Sequence, residues 1–247
     1  MGRMTTTSAT PSPATPPASS PAKTKAKAEA QAETETETET AAGPGGVPLT
    51  VGFDLDLTLI DTRPGIRATW EAFCAETGVT ADIDLVVNRL GPPLEHEMAH
   101  WVPEEAVTAM TARYRALYPA YAIEPSHPMP GARDAIRAVR EAGGRTIVVT
   151  AKNGPHAELH LAHLGIEPDA VVGSLWAEGK AEALRAHGAQ VYVGDHVGDV
   201  RGAAAAGALS VAVATGPCAA GELTAAGADV VLTDLTDFRE WWAGYLA

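Results

Sequence analysis

The sequence predicts an α/β fold: a Rossmann-like parallel sheet with helices on both faces and an all-helical cap insertion. Three observations predict it. Beyond Pro130-Gly131 short apolar runs alternate with helical patterns to the end of the chain, the rhythm of parallel strands covered on both sides. Residues 62–129 carry helical patterns and no convincing strand. An apolar run, Leu49–Asp54, stands upstream of that block and reads as one more buried strand. The expected division is a tail at 1–48, an α/β core at 49–61 and 130–247, and a helical cap at 62–129.

The elements follow in order. Residues 1–48 are rich in Thr, Ser, Ala and Pro, then turn to Lys-Ala and Glu-Thr repeats. The Glu-Thr alternation has a strand's period but no apolar face to bury, so the segment is expected to be disordered. Pro64–Gly78 reads as a helix, with proline in its first turn and glycine past its end. Ile66, Trp70 and Phe73 share one of its faces. Helical patterns follow at about 81–90, 94–101 and 104–118. In the second half, helices are expected at about 132–142, 155–164, 180–187, 200–206 and 221–226, and one at the C-terminus. Strands are expected at 145–150, 170–172, 190–194, 209–213 and 230–232.

Composition narrows the function. The 247 residues are 46% hydrophobic and carry a net charge of −13. That charge opposes nonspecific nucleic-acid binding, and a phosphorylated ligand would need a locally positive site. There is no run of 18 apolar residues and no signal-peptide h-region, so neither a membrane span nor secretion is expected. The two cysteines, Cys74 and Cys218, fit no metal spacing, and reduced thiols in a cytoplasmic protein are expected.

Chemistry gathers at expected strand ends, where open parallel sheets bind ligands. Asp54 and Asp56 flank Leu55, and Thr58 follows. Residues i and i+2 of an extended chain project to one side, and two carboxylates that close repel unless a cation or a shared proton lies between them. Hard oxygen ligands suit magnesium, and aspartate can act as a nucleophile. Thr150 ends a second apolar strand, with Lys152 and Asn153 just beyond. Lys180 opens a helix. Asp195 and Asp199 follow the strand ending at Gly194.

In this order, Asp-x-Asp-x-Thr at 54–58, Thr150, Lys180 and Gly-Asp-x-x-x-Asp at 194–199 resemble the haloacid dehalogenase-like hydrolase superfamily, over residues 49–240. Its phosphoglycolate phosphatase-like members, with a C1 helical cap, are the nearest in pattern: Gly91-Pro92-Pro93-Leu94 looks like their cap loop, and Thr150–Asn153 like their second motif. Ala151 departs, since a polar or small hydroxyl residue is more usual there. The resemblance implies a magnesium-dependent phosphatase acting on a small phosphorylated metabolite through an aspartyl-phosphate. It implies Asp54 as nucleophile and Asp56 as acid and base. Thr150 and Lys180 would hold the phosphate. Asp54, Asp56 (through its carbonyl), Asp195 and Asp199 would form the metal set, with direct ligation by Asp195 or Asp199 left open. Arg89, beside the cap loop, is a candidate substrate contact. A phosphomutase or a non-catalytic binding protein of the same fold is the alternative, and monomer and homodimer both stay open.

One motif competes. His96-Glu97-Met98-Ala99-His100 matches the zinc-protease pattern H-E-x-x-H. It lies between Pro92-Pro93 and Pro103, and no third ligand follows at the expected spacing. His156, His160 and His163 share a helix face beside Leu159 and Leu164 and read as a polar surface. Trp241-Trp242 read as core or interface aromatics.

Overall fold

A computed structural model describes residues 48–247 and Gly2. The remainder of the expected N-terminal tail lies outside the described residues.

Six strands form one parallel sheet: β1 (Thr50–Phe53), β4 (Arg145–Val149), β5 (Ala170–Val172), β6 (Ala189–Gly194), β7 (Leu209–Val213) and β8 (Val230–Leu232). Their order is β5-β4-β1-β6-β7-β8. The chain begins in the middle, builds outward through β4 and β5, then returns to the other side of β1 for β6. The direction of winding thus reverses at β1, and in open α/β sheets the crevice at such a reversal binds ligands. β1 is buried at all four positions, which explains its unbroken apolar run. Helices α5 (Ala132–Glu141), α6 (Gly154–Leu164), α7 (Lys180–Ala186), α8 (Val197–Ala206), α9 (Ala220–Ala225) and α10 (Phe238–Leu246) connect and cover the strands. Phe53 meets Phe238 on one face, while Tyr192 and Leu184 pack with Ile147 and Val149 in a separate cluster.

Between β1 and β4 lie α1 (Arg63–Thr77), α2 (Ile83–Asn88), α3 (Leu94–Met98) and α4 (Glu104–Tyr121). They hold an apolar cluster of their own, centred on Trp70, Phe73, Tyr114 and Tyr118. The spacing of Ile66, Trp70 and Phe73 does bury one face of α1. No helix among the described residues is long and apolar enough to cross a membrane.

Two elements depart from expectation. Ile60–Asp61 (β2) pairs antiparallel with His127–Pro128 (β3), so a strand does occur inside 62–129. Two-residue strands carry no periodicity by which a sequence could reveal them. This ribbon pins together the points where the chain enters and leaves the helical block, helped by the Met129 N–H donating to the Leu59 carbonyl at 2.9 Å. The turn after β1 is the second departure. Leu57 adopts φ 59°, a left-handed conformation that costs a non-glycine residue roughly 1–2 kcal/mol. The Leu59 and Ile60 N–H groups both donate to the Leu55 carbonyl at 3.0 Å, and Thr215 Oγ1 donates to the Leu57 carbonyl at 2.6 Å, fixing the turn.

Candidate active site

The carboxyl ends of β1, β4 and β6 converge. Asp54 follows β1, and its N–H donates to the Val193 carbonyl at 2.8 Å. Thr150 follows β4, and its hydroxyl accepts from the Lys152 N–H at 3.2 Å. Asp195 follows β6. Lys180, the first residue of α7, crosses beneath them with its ammonium fully engaged: it donates to Asp54 Oδ1 at 2.8 Å, Asp199 Oδ1 at 2.6 Å and the Tyr192 hydroxyl at 2.8 Å. Only 1% of the Lys180 side chain reaches solvent.

Asp54, Asp195 and Asp199 are all buried, and one carboxylate oxygen of each lies within 4.8 Å of the others. Asp199 is the N3 residue of α8, where its Oδ2 accepts from the His196 N–H at 3.1 Å. Both of its oxygens are therefore committed, one to Lys180 and one to the helix cap. Asp195 Oδ1 accepts from Thr58 at 2.9 Å, and its Oδ2 faces Gly216, where a Cβ would come within 1.7 Å. Only glycine permits that approach.

Three buried carboxylates face one buried ammonium, a surplus of negative charge that the acids feel in their proton affinity. Burial, opposed by Lys180 and aided by Asp199, pushes Asp54 up to about 7. Burial, then the charges of Asp199 and Asp54, raise Asp195 well above the usual carboxylate range. Burial lowers the Lys180 ammonium, but Asp199 and Asp54 outweigh it and hold the group charged. Buried like charges persist only with a counter-charge. Oxygen donors in this number suit a hard divalent cation, and Asp54, Asp195 and Asp199 are the residues that could hold it.

Asp56, two residues after Asp54, has partners of its own. Its Oδ1 accepts from Lys152 Nζ at 3.0 Å and from the Thr62 hydroxyl. Lys152 also donates to the Tyr118 hydroxyl at 2.7 Å, and that hydroxyl contacts His160 Nε2 at 2.9 Å. Asp56 and Lys152 line a cavity of about 100 Å³ between the helical block and the Ala151–Asn153 loop. Gly91, at φ 140°, brings its loop against His196, where an added Cβ would approach the ring at 2.8 Å.

The structure thus brings Asp54, Thr150, Lys180, Asp195 and Asp199 to one sheet edge and places Asp56 beside them. Arg89 grips Glu97 with two hydrogen bonds of 2.8 Å, lies 5.7 Å from the centroid of the Trp101 ring, and does not line the cavity. The same Glu97 accepts from Trp101 at 2.6 Å, and His96 and His100 are exposed. The H-E-x-x-H pattern therefore builds no zinc site: α3 ends at Met98, so the two histidines do not share one regular helix. His156 and His160 depart from expectation. They are buried, not a polar surface, because Tyr118 stacks on His156 at 4.6 Å and bonds His160. Leu159 is exposed instead.

Sequence reading missed Tyr192, which donates to the Val149 carbonyl at 2.6 Å while accepting from Lys180. A phenol inside an apolar strand, three residues before Asp195, was the available signal. It also assigned no partner to Thr58 or Tyr118.

A haloacid dehalogenase-like hydrolase model matches residues 51–204, and a second HAD-hydrolase-like model matches 180–238. The chain belongs to the haloacid dehalogenase-like hydrolase family. Among curated relatives, the tyrosine-protein kinase PtkA of Mycobacterium tuberculosis is 34% identical over 191 residues, covering 71% of this chain and 65% of that protein. A phosphoglycolate phosphatase of Caulobacter vibrioides is 29% identical over 196 residues, covering 68% and 79%. This family member therefore spans just under two thirds of the length of the mycobacterial relative. A haloacid dehalogenase-like hydrolase from Streptococcus pneumoniae superimposes with a TM-score of 0.70 at 23% identity, over 79% of this chain and 98% of the other. That likeness establishes the shared fold.

Proposed function

We propose that the chain is a magnesium-dependent phosphatase of small phosphomonoesters that works through an aspartyl-phosphate. The observation that carries the proposal is the surplus of buried carboxylate around Asp54, balanced only in part by Lys180. Magnesium would be held by Asp54, Asp195 and Asp199 and by the backbone carbonyl of Asp56. When bound, the ion supplies positive charge against the incoming phosphate and the developing charge of the reaction.

The chain's own residues then divide the work. A carboxylate oxygen of Asp54 attacks phosphorus, and the bond from phosphorus to the ester oxygen breaks. Asp56 gives its proton to that departing oxygen, then takes one from the water that attacks the phosphoryl group and regenerates the Asp54 carboxylate. Thr150 donates a hydrogen bond to the phosphate, and Lys180 neutralises charge on phosphate and nucleophile together. Helices α1–α4 act as a cap that shields the reaction from bulk water. The protein is read as cytoplasmic, with a phosphorylated metabolite as its partner.

Two relatives support phosphoryl chemistry by name, one a phosphatase and one a kinase. Transfer to a tyrosine hydroxyl would use the same Asp54 and Lys180 and differ in the acceptor. The deciding experiment is a phosphomonoester panel with magnesium, run beside a nucleoside triphosphate with a tyrosine peptide, using Asp54→Asn as control. Phosphate release that needs Asp54 supports the proposal. Phosphopeptide formation without free phosphate would replace the phosphatase with the kinase, and release by Asp54→Asn at the wild-type rate would overturn both.

A further inference from the structure

The cavity beside Asp56 points to the kind of ester the site takes; this rests on the phosphatase reading above. Among the acidic and basic groups at the sheet edge, only Asp56 and Lys152 line it; Asp54, Lys180, Asp195 and Asp199 do not. Since Asp56 is the residue that protonates the departing oxygen, the cavity lies on the departing side of the ester bond, and its walls meet the alcohol portion of the substrate.

Those walls are mostly apolar. Trp70, Tyr114 and Tyr118 supply an aromatic side, and Val86, Leu90 and Leu94 supply an aliphatic one. Trp70 and Tyr114 are mutually packed at 5.1 Å, so their orientation is set by the helical block and not by the ligand. The volume of about 100 Å³ is of the order of the ~150 Å³ apolar cavity that holds benzene, and this one opens outward.

The charges at the rim are already matched. Lys152 holds Asp56 at 3.0 Å, Arg115 holds Glu95 at 2.8 Å, and Arg89 holds Glu97 at 2.8 Å. Tyrosines aside, the polar lining is confined to Asp56, Glu97, Arg115, Lys152, Asn153 and His156. A carboxylate on the departing alcohol would compete with Glu95 for Arg115, and a hydroxylated sugar would set those of its polar groups that face Trp70, Val86, Leu90 and Leu94 against apolar walls.

We propose that the preferred substrates are phosphomonoesters of uncharged alcohols carrying an apolar ring, and that Trp70, Leu94 and Tyr114 select them.

The test compares benzyl phosphate, ethyl phosphate and 2-phosphoglycolate as substrates of the full chain with magnesium. All three are alkyl phosphates, which avoids the activated departing groups of nitrophenyl esters. Benzyl phosphate should give a kcat/KM at least tenfold above each of the others, with Leu94→Asp cutting the benzyl-to-ethyl ratio at least fivefold. Because Trp70→Ala opens the block's own core, circular dichroism and the melting temperature must accompany it, and Leu94→Asp, at a half-exposed position, carries the argument if it unfolds. A higher kcat/KM for 2-phosphoglycolate, abolished by Arg115→Ala, would overturn the proposal by showing that Arg115 leaves Glu95 for the substrate. Equal values for benzyl and ethyl phosphate would overturn it as well. Binding of benzylphosphonate and ethylphosphonate, measured calorimetrically, separates this inference from the phosphatase reading. A tenfold preference for benzylphosphonate without turnover of any ester would uphold the pocket and sink the phosphatase. Turnover without that preference would do the reverse.

Discussion

The sheet edge and the helical block solve opposite problems. At the sheet edge three carboxylates, an ammonium and a phenol are buried together; Lys180 bonds Asp54, Asp199 and Tyr192, and Thr58 bonds Asp195. Each group there is held by at least one partner from a different strand or helix, so the charges cannot relax away from each other. In the helical block the buried groups are mostly aromatic and aliphatic, with Thr69 and Thr111 among them, and its ion pairs sit at the rim, partly in water. In the proposed function the charge-loaded edge meets the phosphoryl group, and the block offers a mostly apolar surface to the rest of the ester.

The sharpest way to break that contrast is Asp54→Asn. It should lower turnover on the order of 10⁴-fold or more, as loss of a nucleophile does, while raising the thermal midpoint in metal-free buffer because one surplus buried charge is gone. A variant both inactive and less stable would show that Asp54 stabilises the fold, contrary to this account. Lys180→Met comes next. It strands Asp54 and Asp199 without their common cation, so turnover should fall by about 10²–10³-fold and unfolding free energy in urea by about 3–5 kcal/mol.

Metal linkage tests the same edge without turnover. Magnesium at about 100 times its dissociation constant should add roughly 2.7 kcal/mol to stability, and Asp195→Asn should abolish most of that gain. An equal gain in both proteins would place the ion elsewhere.

Sequence and structure agree most fully on the sheet edge. The six strands were legible because each is a short apolar run, and Asp54, Thr150, Lys180 and Asp195 were legible because each stands at a strand end or helix start. What stayed hidden depends on contacts between distant residues. Nothing in the order of residues links Tyr118 to His160, 42 positions on, or Lys152 to Asp56, 96 positions back. The histidine face of α6 was read as surface because its burial depends entirely on a tyrosine from α4. Arg89 drew attention through its neighbours, while Arg115, which does line the cavity, sits in the middle of a helix where no local signal marks it.

That seam between block and sheet yields a smaller prediction. Burial, with the charge of Lys152, lowers His160 to about 3 and His156 to about 4. Both stay neutral in the folded chain while the unfolded chain takes up protons below about 6.5. The unfolded state then binds more protons, so stability falls as pH drops from about 6.5 toward 4, by up to ~1.4 kcal/mol per pH unit for each histidine. His160→Gln should flatten that slope in urea titrations. The smallest effect expected is from Tyr192→Phe, which leaves the Val149 carbonyl without its donor and Lys180 with one acceptor fewer, at about 1–3 kcal/mol.

Rapid-quench mass spectrometry of the full chain during turnover of a phosphomonoester with magnesium bears most directly on Asp54. A single phosphoryl group, labile to hydroxylamine and mapped to Asp54, is the predicted result, and it should be absent from Asp54→Asn. Steady turnover with the phosphoryl group on another residue, or with Asp54→Asn as active as the parent, would contradict the assignment.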